Sequence, residues 1–293
     1  MSTIIKSSIP YATQTSQAAY SQLFLHYDEK YKLEWCYMRG APRPSFNPIL
    51  LKEMGMVYES LHKRSRFNQT LPIDYQVLAS DVPGIFNLGG DLELFKRLIK
   101  TKDRKNLSAY AHSCVSTVYA KATLHQCGVT HIALVQGDAL GGGFEAALSA
   151  DILIAERSAK MGFPEILFNL FPGMGAHSLL SRKIELHKAE KLILSGKLYS
   201  AEELHDMGIV DILAEDGAGE TAVYNYIQYE NRSRNGIQAM RKVKDIAQPL
   251  SYKQLIDITD TWVEAAMQLR DRDLRMMERL VSRQNHKLDP IAA

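Results

Sequence analysis

The feature that most constrains this chain is a β-prone run, His131-Ile132-Ala133-Leu134-Val135-Gln136, followed shortly by Gly141-Gly142-Gly143 and then by the helix-forming stretch Phe144-Glu145-Ala146-Ala147-Leu148. A strand, a backbone-permissive turn and an immediate helix leave the amides near Gly141 to Gly143 at a helix N-terminus, where they can bind an anion. Two more segments join permissive backbone to an acid: Phe86-Asn87-Leu88-Gly89-Gly90-Asp91-Leu92 and Phe163-Pro164-Glu165-Ile166-Leu167. The first follows a β-prone run and precedes the helical pattern Leu92-Glu93-Leu94-Phe95-Lys96-Arg97-Leu98. Two amides brought together from separate loops are what a thioester carbonyl needs as it becomes an enolate.

Around these segments the chain reads as alternating strands and helices. Tyr75 to Ser80, His131 to Gln136 and Ile152 to Ala155 are short apolar β-prone runs separated by helical stretches, which predicts an α/β fold with a sheet covered by helices. The proline-rich Ala41 to Pro48 predicts a loop before a helix over Ile49 to Leu61. Ser200 with Glu203 predicts a capping box, with Gly208 placed to end that short helix. Ser251 with Gln254 repeats the start signal, and Leu255, Ile258, Trp262, Ala265 or Ala266, and Leu269 recur at helical spacing, predicting a long amphipathic helix, straight or kinked. Arg270-Asp271-Arg272-Asp273 reads as a solvated face. The expected organisation is a flexible N-terminal segment over 1–20, a core over 21–225 and a C-terminal helical region over 226–293.

Several function classes are disfavoured. A formal net charge of +2 is not the footprint of a general nucleic-acid binder. Cys36, Cys114 and Cys127 are odd in number and lack CxxC spacing, so reduced thiols in a cytoplasmic protein are expected. No apolar stretch approaches a membrane span, so no membrane insertion is expected. GxxxxGK[ST], GxGxxG and GxSxG are all absent, and neither glutamate belongs to a ligand-spaced His/Asp/Glu cluster, so neither a metal nor another cofactor is expected.

Each acidic segment also has a structural reading. Gly141 to Gly143 fit a tight turn with close helix packing, Glu145 fits a first-turn carboxylate facing the helix dipole, and Glu165 fits a helix start after Pro164. The combination of Ala139-Leu140-Gly141-Gly142-Gly143-Phe144-Glu145, Phe163-Pro164-Glu165-Ile166 and Phe171-Pro172-Gly173-Met174-Gly175, with the acids twenty residues apart, closely resembles the crotonase (enoyl-CoA hydratase/isomerase) family. The resemblance runs from about residue 70 to about 245 and includes Leu194-Ser195-Gly196 and Gly208-Ile209-Val210-Asp211. It implies a spiral of strand-strand-helix units with a C-terminal helical region. It further implies catalytic Glu145 and Glu165, an oxyanion hole of the Gly90 and Gly142 amides, and a homo-oligomer, trimer or hexamer. In the family, the position of Glu165 handles the α-proton and that of Glu145 the β-oxygen or water.

Asn87-Leu88-Gly89-Gly90-Asp91, Phe95, the segment Asn169 to Ala176 and Thr261-Trp262-Val263-Glu264-Ala265-Ala266-Met267-Gln268-Leu269 are similar to the bacterial diffusible-signal-factor synthases. That similarity implies dehydration of a 3-hydroxyacyl thioester on acyl carrier protein to a cis-2-enoyl product, then hydrolysis to a free fatty acid used in quorum sensing. A conventional hydratase or isomerase acting on a CoA thioester shares the fold and the glutamates, and a non-catalytic acyl-binding protein is the remaining alternative. Two buried carboxylates beside an apolar chain argue against a pure binder. Phe144, Phe168, Met174 and Trp262 are candidates for the acyl pocket, with plain core packing as the alternative.

Overall fold

The computed structural model describes residues 20–41, 43–67 and 72–288, with side chains through residue 282. The expected N-terminal segment, apart from Tyr20, lies outside the described residues. Strands β1 (Leu23–Asp28) and β2 (Leu33–Met38) pair antiparallel, and α1 (Pro48–Arg66) follows the proline-rich loop. Pro48 opens α1 while the Asn47 side chain accepts from the Ile49 and Leu50 amides. The helix outruns its predicted end at Leu61, because Lys63, Arg64 and Arg66 in its last turn complement the carbonyl end of the dipole.

Next come β3 (Tyr75–Ser80), β4 (Gly84–Asn87), α2 (Leu92–Lys100), α3 (Arg104–Ala122), β5 (Thr130–Val135), β6 (Gly137–Leu140), α4 (Gly142–Leu148), β7 (Ile152–Glu156) and β8 (Lys160–Gly162). A 3-10 turn over Pro164–Phe168 leads to α5 (Ala176–Leu180), α6 (Leu186–Ser195), β9 (Leu198–Ser200), α7 (Ala201–Asp206), β10 (Ile212–Ala214) and α8 (Gly219–Arg232). The chain then continues in α9 (Arg234–Ala247), α10 (Tyr252–Met267) and α11 (Asp271–Leu288). Both halves of the Ser200/Glu203 capping box are made. The expected boundary at 225/226 falls inside α8, which binds to the core through Val223, Tyr226 and Ile227.

The larger sheet runs β1-β2-β3-β5-β7-β10, parallel from β2 onward, and the smaller runs β4-β6-β8-β9. Successive pairs β3/β4, β5/β6 and β7/β8 each give one strand to each sheet, which is the strand-strand-helix spiral. Alternate residues of the large sheet face opposite cores. Leu78, Ala133, Val135, Leu153 and Ala155 meet one apolar cluster with α1 and α3, while Val77, Ala79, Ile132, Leu134 and Ile154 meet the other with α8. Burial on both faces explains why these strands read as continuous apolar runs.

Two features differ from the sequence reading. The small-sheet strands are short and contain glycine and aspartate, which strand propensity disfavours, and tertiary pairing forms them. Gly137 is required there: a Cβ would lie 2.0 Å from the Gly84 carbonyl carbon. The helix expected after Ser251 forms as α10, and α11 follows as a separate helix, at whose start the Asp273 carboxylate accepts from the Arg270 amide at 3.0 Å. Asp273 is therefore buried, while Arg270, Asp271 and Arg272 are exposed as expected.

Candidate active site

The β4–α2 and β6–α4 turns meet backbone to backbone. Gly89 has φ +92°, and a Cβ on it would sit 2.7 Å from the Leu140 carbonyl oxygen and 3.1 Å from the Gly142 nitrogen. The Asn87 side chain shapes this turn by accepting from the Gly89 amide at 2.8 Å. A Cβ on Gly142 would lie 3.5 Å from the Gly90 nitrogen, so the two amides expected from the sequence to form the oxyanion hole are neighbours. Gly142 opens α4, and its amide has no acceptor inside the helix.

Glu145 sits in the first turn of α4 and is fully buried. It does not cap its own helix. Its Oε1 accepts instead from the Met174 amide at 2.7 Å and the Ala176 amide at 2.9 Å, while Oε2 has no partner among the described residues. Burial pushes this carboxyl up to about 7, against the opposing pull of the amides. The Phe171-Pro172-Gly173-Met174-Gly175 turn that supplies them is fixed from α10, where Thr259 Oγ1 donates to the Gly173 carbonyl at 3.0 Å. The Trp262 ring covers Gly173 so closely that a Cβ there would fall 2.6 Å from it.

Glu165 stands in the 3-10 turn that Pro164 opens. Its side chain reaches across Gly141, where a Cβ would be 2.2 Å from Oε1. The residue is partly exposed, yet its Oε2 is enclosed and has no partner among the described residues. Burial pushes this carboxyl up to about 8, and the nearby Glu145 adds like-charge repulsion. Burial thus favours the protonated form of both carboxyls.

Both glutamates, Gly90 and Gly142 line one cavity with Phe168, Met174 and Trp262. Phe144 is not in its lining. Adjacent to Glu145 on a helix, Phe144 points elsewhere and stacks on Phe163, with ring centroids 5.0 Å apart, in the core. The cavity's space of about 50 Å³ holds a few waters, so an acyl chain enters only as lining side chains move. Met174 and Leu280, on unstacked flexible side chains, are suited to yield.

Tyr110 and Cys114 also contribute and carry no active-site signal in the sequence. Tyr110 on α3 accepts from the Asp91 amide at 3.1 Å and donates to the Phe46 carbonyl, tying down the turn that carries Gly90. Its ring meets Phe95 edge-on at 5.2 Å, and Phe95 meets Trp262 at 5.0 Å, which makes an aromatic wall from three helices. Cys114, one turn beyond Tyr110, is buried in the lining, where burial pushes its thiol up to about 12.

A family model described as enoyl-CoA hydratase/isomerase matches residues 40–285. The mitochondrial methylglutaconyl-CoA hydratase of Rattus norvegicus is 34% identical over 188 residues, which cover 64% of this chain and 55% of that protein. The chain thus spans about half the length of that relative. A crystal structure of enoyl-CoA hydratase from Bacillus halodurans superposes with a TM-score of 0.75 at 21% identity, covering 88% of this chain and 100% of that one. The structure of Pseudomonas aeruginosa DspI superposes with a TM-score of 0.68 at 23% identity, covering 82% and 93%. At such identities the two structures share the fold. With the family match extending over most of the chain, this protein belongs to the enoyl-CoA hydratase/isomerase family.

Proposed function

We propose that the enzyme dehydrates a medium-chain 3-hydroxyacyl thioester on acyl carrier protein and then hydrolyses the cis-2-enoyl thioester to a free cis-2-enoic acid. The observation that carries this reading is the enclosure of Glu145, Glu165 and the Gly90 and Gly142 amides around one apolar cavity. The similarity to diffusible-signal-factor synthases supplies the carrier and the product.

The chemistry closes on itself. The reactive form has Glu165 ionised and Glu145 protonated, the less favoured of the two arrangements; from it the Glu165 carboxylate takes the α-proton, and charge moves to the thioester oxygen between the two amides. As the enolate collapses, the β-carbon–oxygen bond breaks and Glu145 gives its proton to the departing hydroxyl. Glu165 is left protonated and Glu145 ionised, the distribution favoured by the two amides on Glu145 Oε1. The Glu145 carboxylate then takes a proton from water as that water attacks the thioester carbonyl. Glu165 protonates the leaving thiol, and both groups return to their starting states. No GxSxG centre is present to hydrolyse the thioester separately. We further place the protein in the cytoplasm as a trimer or hexamer, with Met240, Val243 and Ile246 of α9 exposed for a neighbouring subunit.

A second reading, reversible hydration of an enoyl-CoA, is favoured by the likeness to the rat hydratase. Matched 3-hydroxyacyl-CoA and 3-hydroxyacyl-carrier-protein substrates, with free acids followed by mass spectrometry, separate the two. A free cis-2-enoic acid from the carrier-protein substrate is expected. Interconversion of CoA thioesters without release of any acid would overturn the synthase reading in favour of the hydratase.

A further inference from the structure

We propose that Cys127 and His62 form a second reactive site, remote from the glutamates, at which a small anionic disulfide converts Cys127 to a mixed disulfide. Cys127 Sγ lies 3.1 Å from His62 Nδ1, and His62 Nε2 lies 2.7 Å from the Ala120 carbonyl oxygen. A carbonyl only accepts, so Nε2 carries the hydrogen and the basic lone pair of Nδ1 faces the thiol. A nucleophile, a base and a third group that orients the base are thus assembled. Burial raises the thiol, but the contacts with His62, Ser65 and Arg66 outweigh it and leave Cys127 below the ordinary thiol value.

The pair opens into a groove of about 740 Å³, where Lys63 and Arg66 outnumber Glu59 and give an anionic reagent its counter-charges. Cys36 and Cys114 are buried, and burial holds both thiols up. The groove borders Tyr119 and Ala120, whereas Tyr110 and Cys114 of the same helix line the glutamate cavity, so the two linings come no nearer than about 7 Å along α3. In the exchange, Cys127 gives its proton to His62 and its thiolate attacks one sulfur of the disulfide. The new sulfur–sulfur bond forms as the old one breaks, and the departing thiolate carries away the electron pair and is then protonated. Cys127 is oxidised and the reagent reduced.

The test treats the reduced full chain with oxidised glutathione at neutral pH and maps adducts by mass spectrometry. One adduct, on Cys127, is expected; Cys127→Ser should give none, and His62→Gln should slow formation by about tenfold or more. Cationic cystamine should react more slowly than glutathione. Adducts on Cys36 or Cys114 in preference, an unslowed His62→Gln protein, or cystamine reacting as fast would each overturn the proposal. Should His62→Gln unfold, the pH profile of Cys127 alkylation by iodoacetamide in the unaltered protein decides. A midpoint below the ~8.5 of a free thiol is expected, and one at or above it refutes the dyad.

Discussion

Replacing Glu145 by glutamine isolates the cost of burying its charge. Glutamine retains an oxygen for the Met174 and Ala176 amides, now held at 2.7 and 2.9 Å, and puts an amide nitrogen where Oε2 has no partner among the described residues. The folded carboxyl titrates at about 7 against an ordinary value of 4.5, so the folded chain holds a proton that the unfolded chain has released. Stability from this group is therefore complete below 4.5 and is lost as pH rises through 7. At 1.36 kcal/mol per pH unit the loss between about pH 5 and about pH 9 is on the order of 3 kcal/mol. Spread over the unfolding entropy of a chain this long, that is on the order of 5 °C in Tm. Any cost of the new amide nitrogen is the same at every pH and cancels in the comparison. Loss of the Glu145 charge also relieves Glu165, which acts in the same direction. Thermal denaturation of both proteins across this range should show Glu145→Gln gaining on the wild type as pH rises, while dehydration falls by about 10²- to 10⁴-fold. A stability difference that is flat with pH would refute the buried, titrating glutamate.

Glu165→Ala should also cost dehydration about 10²- to 10⁴-fold with the fold intact, and near-normal turnover in single-turnover measurements would remove Glu165 from the mechanism. The pH profile of kcat/KM should be bell-shaped with both limbs above the ordinary glutamate value of 4.5, because burial raises both carboxyls; an acid limb at that value contradicts the enclosed pair. Gly141→Ala forces a Cβ to within 2.2 Å of Glu165 Oε1 at a backbone φ of +52°, and the displaced carboxylate should lose about 10²-fold in rate with circular dichroism unchanged. Trp262→Ala removes a buried wall of the cavity, which should cost about 3–5 kcal/mol in denaturant unfolding and shift a chain-length panel toward bulkier acyl groups.

The strands Tyr75–Ser80 and Ile152–Glu156 were legible in the sequence to within a residue, since a strand buried on both faces must be apolar throughout. The helix starts at Ser200 and Ser251 were equally legible, because their caps are local hydrogen bonds between residues three apart. The two glutamates stood out through their motifs and spacing together with the family resemblance that these carry. What holds Glu145 did not: the Met174 and Ala176 amides lie 29 and 31 residues away. The four pocket candidates were alike in composition, and helical phase together with the fold of α10 sent Phe144 to the core and Trp262 to the cavity.

The sequence by itself determined the elements whose driving force is local: caps, turns that need glycine, and apolar runs long enough to name a buried strand. Only the tertiary structure decided the small sheet, the burial of Asp273 and the assembly of amides, carboxyls and aromatic wall. Those depend on close approaches such as that of Gly137 to Gly84, between residues far apart in the chain. Burial that raises two carboxyls at once is likewise a property of the whole packed interior, which no short stretch of sequence contains.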